Sequence, residues 1–276
     1  MPDNDQESAP QGIDTSRPSV SRVYDFMLGG TDNYAADRQV AELALKIAPD
    51  APQAARANRA FLRRTVRHLA GEAGVRQFID VGSGLPTQGN VHEIAQAVAP
   101  GTHVVYVDHD PMVQVHGGAL LADDDTTAVV HADAREPESI LADPRTRALI
   151  DFDRPVGLLM FGLLHHLADE EDPAGIVARL VAPLAPGSHV VISHFHNPGA
   201  AHPEVAAQAA EAERLFNEHL GTGRWRTREE LLAYFDGLEL LEPGLVPLPE
   251  WRPDEGDDAG LGITYHTFVG GVGRKP

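Results

Sequence analysis

The sequence has no cysteine among its 276 residues, which excludes disulfides, thiolate nucleophiles and cysteine-ligated zinc. Lysine is almost absent, and acidic residues outnumber basic ones enough to give a formal net charge of −19. Such a negative surface disfavours nucleic-acid binding, because that binding depends on neutralising phosphates. The longest apolar run, residues 156–164, is about half the length of a membrane span. The acidic N-terminus lacks the apolar region of a signal peptide. We therefore expect a cytoplasmic protein without nucleic-acid or membrane partners.

The first quarter of the chain divides into a tail and a helical region. Residues 1–17 mix proline, serine, glutamine and acids without periodicity, which predicts a mobile tail. Residues 18–73 carry apolar side chains at helical spacing in three stretches. Gly29 and Gly30 separate the first stretch from the second, and a proline after Asp50 begins the third.

From residue 74 to the C-terminus the pattern alternates between strands and helices, which predicts a single α/β core. Strand-like runs cover residues 77–81, 103–107, 128–131, 156–161 and 188–193, and helical stretches lie between them. This spacing is typical of a parallel sheet with helices on both faces. Two last strand candidates, residues 238–246 and 263–269, flank a loop without helical pattern, so we expect them to form an antiparallel hairpin at the sheet edge.

A glycine turn follows the first predicted strand and is the most informative local pattern. Asp80 and Val81 run directly into Gly82-Ser83-Gly84, and a helical stretch comes next. In open parallel sheets, ligands bind beyond the carboxyl ends of the strands. Glycines allow close approach of the backbone there, and N–H groups near a helix start favour anions. Taken alone, the pattern is equally compatible with an ordinary tight turn.

Acidic residues also end the next two predicted strands. Asp108 follows the second strand, and Asp133 follows the third. A carboxylate at the second tip can accept both hydroxyls of a ribose. An acid at the third tip can accept from an adenine amino group. Each aspartate alone would more simply be a helix cap, but three tips at one edge favour an adenosine site.

Two cofactor classes compete for such a site. A dinucleotide fingerprint requires a third glycine for close packing of helix on strand, and that position is Thr87. The sequence therefore disfavours binding of the pyrophosphate of NAD. Asp80, two residues before the first glycine, instead suits a ligand with an ammonium group, such as S-adenosylmethionine.

Two sets of residues resemble known families. Asp80 to Gly84, Asp108 and the segment at residues 163–169 resemble the Rossmann-like S-adenosylmethionine-dependent methyltransferases. Residues 21–38, SRVYDFMLGGTDNYAADR, are similar to the N-terminal signature of a bacterial S-adenosyl methyltransferase family first classed as a domain of unknown function. The resemblance implies a seven-stranded, mostly parallel sheet with helices on both faces, an antiparallel last strand and an N-terminal helical cap. It names no substrate.

The resemblance also implies roles for individual residues. Asp80 would hold the ammonium group, and the glycine turn would face the methionine moiety. Asp108 would bind the ribose. The remaining cofactor-binding residues that it implies are His109 and Met112 beside the adenine, Asp133 and Ala134 at the adenine edge, and Phe161.

Tyr24, Gly30 and Asn33 surround the break between the first two helices. We interpret this segment as part of a cap that folds over the cofactor and shields its sulfonium from water. The alternative is an ordinary turn between helices.

His165 and His166 follow the fourth strand and are the candidate catalytic residues. Methyl transfer needs a base only when the acceptor must lose a proton, and histidine suits that role. Either histidine could instead cap a helix or pack in the turn. His194 and His196 could offer two metal ligands, but no carboxylate lies nearby in the sequence, so we predict no metal site.

Arginines recur along the third helix in a stripe, at positions 56, 59, 63 and 67. We interpret the stripe as a solvated face, with contact to an anionic substrate as the alternative.

The sequence thus predicts an S-adenosylmethionine-dependent methyltransferase with a small-molecule acceptor. The alternatives are a non-catalytic module that binds S-adenosylmethionine or S-adenosylhomocysteine and, less favoured, an NAD-dependent oxidoreductase.

Overall fold

The computed structural model describes residues 13–86, 89–120, 125–255 and 262–276. Most of the predicted tail, residues 1–12, lies outside the described residues, as does Thr87. The helices are α1 (Val20–Leu28), α2 (Ala35–Ile47), α3 (Ala51–Gly71), α4 (Val91–Val98), α5 (Pro111–Leu120), α6 (Pro137–Ala142), α7 (Pro144–Leu149), α8 (Pro173–Val181), α9 (Pro203–His219) and α10 (Arg228–Leu232). The strands are β1 (Gln77–Val81), β2 (His103–Asp108), β3 (Thr127–His131), β4 (Gly157–Phe161), β5 (His189–Phe195), β6 (Glu239–Leu240), β7 (Val246–Pro247) and β8 (Phe268–Arg274).

The strands form one sheet in the order β3-β2-β1-β4-β5-β8-β6, with β7 also paired to β8. Strands β1 to β5 are parallel, and β8 runs antiparallel to β5. Helices pack on both faces, so the predicted mostly parallel α/β architecture is confirmed. The sheet has eight strands among the described residues rather than the expected seven, because the short β7 also pairs with β8. The register pairs Val81 with Val107 and Asp108 with His131. The carboxyl ends of β1, β2 and β3 therefore lie side by side, as the adenosine hypothesis requires.

The expected antiparallel pairing at the sheet edge is confirmed, because β6 is the outer strand and both β6 and β7 pair antiparallel with β8. The predicted bounds of these strands are wrong. The run at residues 238–246 contributes only β6 and the first residue of β7, because Pro243 has no N–H group to donate to a ladder. The predicted 263–269 strand begins as a short 3-10 helix (Ile263–Thr267) and becomes extended only at Phe268.

Glycines explain why the sequence pattern does not reveal the C-terminal part of β8. Glycine is a residue type that is depleted in strands, yet Gly270 and Gly271 both lie inside β8. A Cβ atom on Gly270 would come within 2.6 Å of the Phe61 ring on α3. Glycine is therefore needed where α3 presses against the sheet.

Two apolar clusters cover the two faces of the sheet, and a third joins the N-terminal helices to α9. Helix α3 falls within the predicted cap segment (18–73), but its Phe61 and Leu69 are fully buried in the cluster on one sheet face. Helices α1 and α2 pack instead against Leu215 and Phe216 of α9. Where the cap ends and the core begins stays a prediction. None of the described helices combines the length and the apolar character that crossing a membrane requires.

A buried ion pair connects α1 with α2. The Arg22 guanidinium lies 2.8 Å from the Asp37 carboxylate, and both side chains are almost fully buried. The Asp37 carboxylate also accepts hydrogen bonds from the backbone N–H groups of Ser19 and Tyr34, each at 2.8 Å. The start of α1 and the start of α2 are thus fastened to one carboxylate.

Candidate functional site

A cavity of about 790 Å³ lies between the carboxyl ends of the parallel strands and helices α1, α3 and α9. It contains most of the residues that the sequence predicted for a site. The predicted residues in its wall are Tyr24, Asp80, Gly82, Ser83, Gly84, Asp108, His109, Phe161, His165 and His166. Strand ends that are far apart in the sequence and a helix from the N-terminal region therefore meet around one space.

Two predicted residues in the N-terminal segment lie outside the cavity wall. The Asn33 amide donates to the Asp25 carboxylate at 2.9 Å and to the Gly30 carbonyl at 3.0 Å. A Cβ atom on Gly30 would come within 2.0 Å of the same carboxylate. Gly30 and Asn33 thus shape the connection between α1 and α2, and direct contact with a cofactor stays a prediction.

Three further predicted residues lie beside the cavity without forming its wall. Met112 is buried against Tyr34 and Leu85, and Ala134 is buried in the sheet cluster. The Asp133 carboxylate lies 3.0 Å from the Arg135 guanidinium, and Arg135 itself lines the cavity. The adenine contacts that the resemblance implied for these residues also stay predictions.

The glycine turn approaches the cavity closely, but its N–H groups are already used. Gly82 and Ser83 donate to the Val107 carbonyl, and Gly84 donates to the Asp108 carboxylate. Gly82 has a φ of 71°, and a Cβ atom there would lie 2.6 Å from Leu163. Gly82 is therefore needed for the close packing of Leu163 on the turn, and an anionic ligand group must find its donors elsewhere. The Ser83 hydroxyl is buried and has no hydrogen-bond partner among the described residues.

Asp80 is a buried carboxylic acid in the cavity wall. Burial raises the pKa of Asp80 to about 7, the nearby Arg59 lowers it, and the charge of Asp108 raises it further. A carboxylate in such an environment is stabilised by any cationic ligand group placed beside it.

Asp108 is held rigidly at the end of β2. Its carboxylate accepts from the N–H of Gly84 at 2.8 Å and from the N–H of Asp110 at 2.9 Å. Burial raises the pKa of Asp108, although both of these hydrogen bonds lower it. Its orientation is therefore fixed before a ligand arrives, and the carboxylate stays in the cavity wall.

Arg59 is a site residue that the sequence placed on a solvated stripe. Farther along α3, Arg63 and Arg67 do contact Asp254 at the surface. Arg59 lines the cavity and donates to the Gly89 carbonyl at 2.7 Å. Spacing along the helix could not distinguish these arginines, because only the packing of α3 on the sheet turns its first half toward the site.

A chain of hydrogen bonds links the N-terminal helices to the sheet beneath the cavity. The Asn58 amide donates to the Tyr24 hydroxyl at 3.1 Å, and Asn58 in turn accepts from the Ser193 hydroxyl at 2.7 Å. Ser193 also accepts from the Gly162 N–H. Asn58 and Ser193 carry no sequence motif, so this connection could not be predicted.

The two predicted catalytic histidines occupy different environments. His165 is 2% exposed and stacks on Phe195, with 3.6 Å between ring centroids. The Phe195 N–H donates to its Nδ1 atom at 3.3 Å. Burial, followed by the charge of His166, holds the pKa of His165 well below its usual value.

His166 is also uncharged at neutral pH, because burial, with a smaller effect of His109, lowers its pKa to about 4. Neither of its ring nitrogens has a hydrogen-bond partner in the part of the chain that the structure describes. The Nδ1 atom of His166 is buried, so Nε2 is the ring nitrogen that is left for a ligand.

His194 in β5 and His196, directly after β5, are engaged in other contacts. The Nε2 atom of His194 lies 3.1 Å from the Arg226 guanidinium, and the Nδ1 atom of His196 lies 2.8 Å from the His266 carbonyl. Among the described residues, no group of three or more histidines or carboxylates has the geometry of a metal site.

The charged groups of the wall fit a ligand that carries both signs of charge. Asp80 can accept from a cationic group, and Arg59 supplies a cation for an anionic one. Asp108 offers its carboxylate to hydroxyl groups. The unpartnered Ser83 hydroxyl provides one more donor. The methionine and ribose moieties of S-adenosylmethionine present these groups.

Comparison with known proteins agrees with this geometry. A family described as S-adenosyl methyltransferase matches residues 6–276. A putative methyltransferase from Thermobifida fusca is 45% identical, with a TM-score of 0.90 over 97% of this chain and 98% of that one. A DUF574 family protein from Streptomyces avermitilis is 41% identical, with a TM-score of 0.89 over 95% and 99% of the two chains. An O-methyltransferase family 2 protein from Planctomyces limnophilus shares only the fold, at 16% identity, with a TM-score of 0.51 over 86% and 62%. No curated protein matches the sequence significantly.

Proposed function

The chain belongs to the S-adenosyl methyltransferase family, and from that premise we propose that it methylates a small molecule held in the same cavity as the cofactor. S-adenosylmethionine supplies an electrophilic methyl group on a positively charged sulfur. One observation carries the proposal: a single cavity extends from Asp80 and Asp108 to an apolar region between α1, α2 and α9. Cofactor and acceptor can therefore lie in contact, away from bulk water.

Four residues of this chain hold the cofactor in our proposal. Asp80 accepts from the methionine ammonium group, and Arg59 binds the methionine carboxylate, since the N–H groups of the glycine turn are occupied. Ser83 donates its free hydroxyl, and Asp108 accepts from the ribose hydroxyls.

The N-terminal segment closes the cofactor side of the cavity in this proposal. The Ser19 hydroxyl donates to the Asp110 carboxylate at 2.8 Å, which joins the start of α1 to the loop after β2. Ser19 and Asp110 both line the cavity, as do Arg17 and Asp14. This contact supports the cap hypothesis, because the segment lies across the loop that carries Asp108.

A binding module without turnover is the second candidate. The two predicted catalytic residues, His165 and His166, are weak bases because burial lowers the pKa of each. A protein that only senses S-adenosylmethionine or its product needs no base at all. The decisive difference is turnover, which requires that an acceptor be consumed.

Calorimetric titration tests the cofactor part of the proposal. We expect S-adenosylmethionine and S-adenosylhomocysteine to bind with similar affinity and NAD to show no binding. An acceptor screen with S-adenosylmethionine then separates enzyme from sensor, because only an enzyme releases S-adenosylhomocysteine when an acceptor is added. Tight binding of NAD would refute the proposal.

The raised pKa of Asp80 predicts a pH-dependent affinity for S-adenosylhomocysteine. Only the ionised carboxylate attracts the ligand's ammonium group, so affinity is lost as the pH falls through the pKa of about 7. At pH 6 about a tenth of the carboxyl groups are ionised, and the affinity should be roughly tenfold lower than at pH 8. Titrations at both pH values measure this ratio, with D80N as the control. The ratio should shrink toward one in D80N, and an unchanged ratio would contradict the assignment.

A further inference from the structure

The charges in the cavity wall are segregated to one side. Charged side chains surround the carboxyl ends of the strands, the segment before α1 and the first turn of α1: Asp14, Arg17, Arg22, Arg59, Asp80, Asp108, Asp110 and Arg135, with His109 beside them. Among the described residues, the part of the wall formed by residues 44–48, α9, Phe195, Trp225 and residues 262–276 contains no charged group, and the neutral His165 and His166 border it. We call this second part the acceptor lobe. The charged side matches the groups of the cofactor, and the acceptor lobe offers no partner for an ion.

Aromatic side chains form one wall of the acceptor lobe. Phe195, Phe216 and Trp225 line the cavity and are only half-buried, whereas core aromatics such as Phe61 and Phe78 are fully buried. Trp225 stacks on Phe195 with 4.2 Å between ring centroids, and Phe216 meets Trp225 edge-on at 5.4 Å. This wall, residues 195, 216 and 225, presents apolar ring surface to the cavity.

Small side chains lie elsewhere around the acceptor lobe and leave it wide. Ala44, Ala48, Ala209 and Ala212 line the cavity from α2 and α9. His166 lies beside the aromatic wall, with its ring nearly parallel to that of Phe216 and 6.4 Å between the centroids. A planar ring is the shape that gains most from aromatic surfaces of this kind.

We propose that the acceptor is an uncharged, planar aromatic molecule that presents a hydroxyl group to His166. This inference rests on the proposed function and specifies its substrate class. An ion in the acceptor lobe would be buried without a partner, which is costly. A hydroxyl group can both donate and accept, so it satisfies an imidazole nitrogen in either tautomer.

Methylation of that hydroxyl balances with the groups present. The acceptor oxygen forms a bond to the methyl carbon while the bond between that carbon and sulfur breaks. The electron pair of the broken bond stays on sulfur. The hydroxyl proton passes to a ring nitrogen of His166 and then to solvent. Neutral His166 has a free lone pair for this proton, and a weak base suffices because the proton becomes strongly acidic as its oxygen bonds to the methyl carbon.

Binding of three naphthalene probes to the complex with S-adenosylhomocysteine tests the inference. We expect 2-naphthol to bind at least about tenfold more tightly than 2-naphthoate, because the acceptor lobe cannot pair the carboxylate. 2-Methoxynaphthalene should also bind more weakly than 2-naphthol, and H166F should remove that difference. Equal or tighter binding of 2-naphthoate would overturn the inference, as would a 2-naphthol preference that is unchanged in H166F.

A matched pair of variants locates the probe. Ala212 lines the cavity, whereas Ala210 on the same helix is exposed. A212W should abolish 2-naphthol binding and keep S-adenosylhomocysteine binding, and A210W should change neither. If 2-naphthol binds A212W normally, the acceptor lobe is not its site and the inference fails. If S-adenosylhomocysteine does not bind the unmodified protein, the proposed function itself fails.

Discussion

Replacement of Asp108 by alanine is expected to weaken binding of S-adenosylhomocysteine on the order of 100-fold or more. The carboxylate would accept two ribose hydroxyls, and each charge-assisted hydrogen bond contributes about 1.5–3 kcal/mol, so the loss is at least about 3 kcal/mol. The alanine variant also releases the N–H groups of Gly84 and Asp110, which Asp108 now holds. Calorimetric titration at pH 8 measures the change.

Two comparisons separate this effect from general damage to the fold. D108N keeps the size of the side chain and should still weaken binding, since its amide NH₂ cannot accept from a hydroxyl. D153A replaces an exposed aspartate before β4, at the opposite end of the strands, and should leave the affinity unchanged. Thermal unfolding confirms that each variant is folded. Affinity within threefold of the unmodified protein in a folded D108A variant would remove Asp108 from the site.

The cofactor side of the site could be predicted because short-range patterns encode it. In a parallel sheet the carboxyl ends of the strands lie at one edge. Residues that directly follow buried strands therefore come together for any length or conformation of the connecting loops. This rule identifies Gly82, Gly84 and Asp108, and Asp80 is identified by its place two residues before the first glycine. The structure places all four in one cavity wall. Asp133 also follows a strand, but its carboxylate forms an ion pair with Arg135 beside the cavity.

The acceptor lobe could not be predicted because it depends on packing between distant elements. Leu215 and Phe216 of α9 join the cluster of α1 and α2, and no pattern within α9 reveals that contact. The same holds for Asn58, whose hydrogen bonds reach 34 residues back to Tyr24 and 135 residues forward to Ser193. The role of Arg59 likewise follows from where α3 lies on the sheet.

Strands and helices contribute different parts of the cavity wall. Strand ends provide fixed charges for a cofactor with a defined pattern of groups. Helices α1, α2 and α9 provide apolar surface, and Tyr24 of α1 is linked to the sheet through Asn58 and Ser193. The contacts between the helices themselves help to hold α1 and α2 over the acceptor side of the cavity.

The buried Arg22–Asp37 pair joins α1 to α2, and D37A is expected to destabilise the protein by about 3–5 kcal/mol. The variant leaves the Arg22 guanidinium buried without its carboxylate, and it also frees the N–H groups of Ser19 and Tyr34. Urea unfolding measures the loss. E42A, on an exposed position of the same helix, should change the free energy of unfolding by less than about 0.5 kcal/mol.

The double variant R22L/D37L distinguishes a lost charge partner from lost packing. With both charges removed, no unpaired ion remains, so the double variant should be more stable than D37A. Because Ser19 also binds Asp110 beside the cofactor side of the cavity, D37A should weaken S-adenosylhomocysteine binding as well, even where the sheet core stays folded. If D37A unfolds at the same urea concentration as the unmodified protein and binds the ligand equally well, the ion pair does not hold the cap in place.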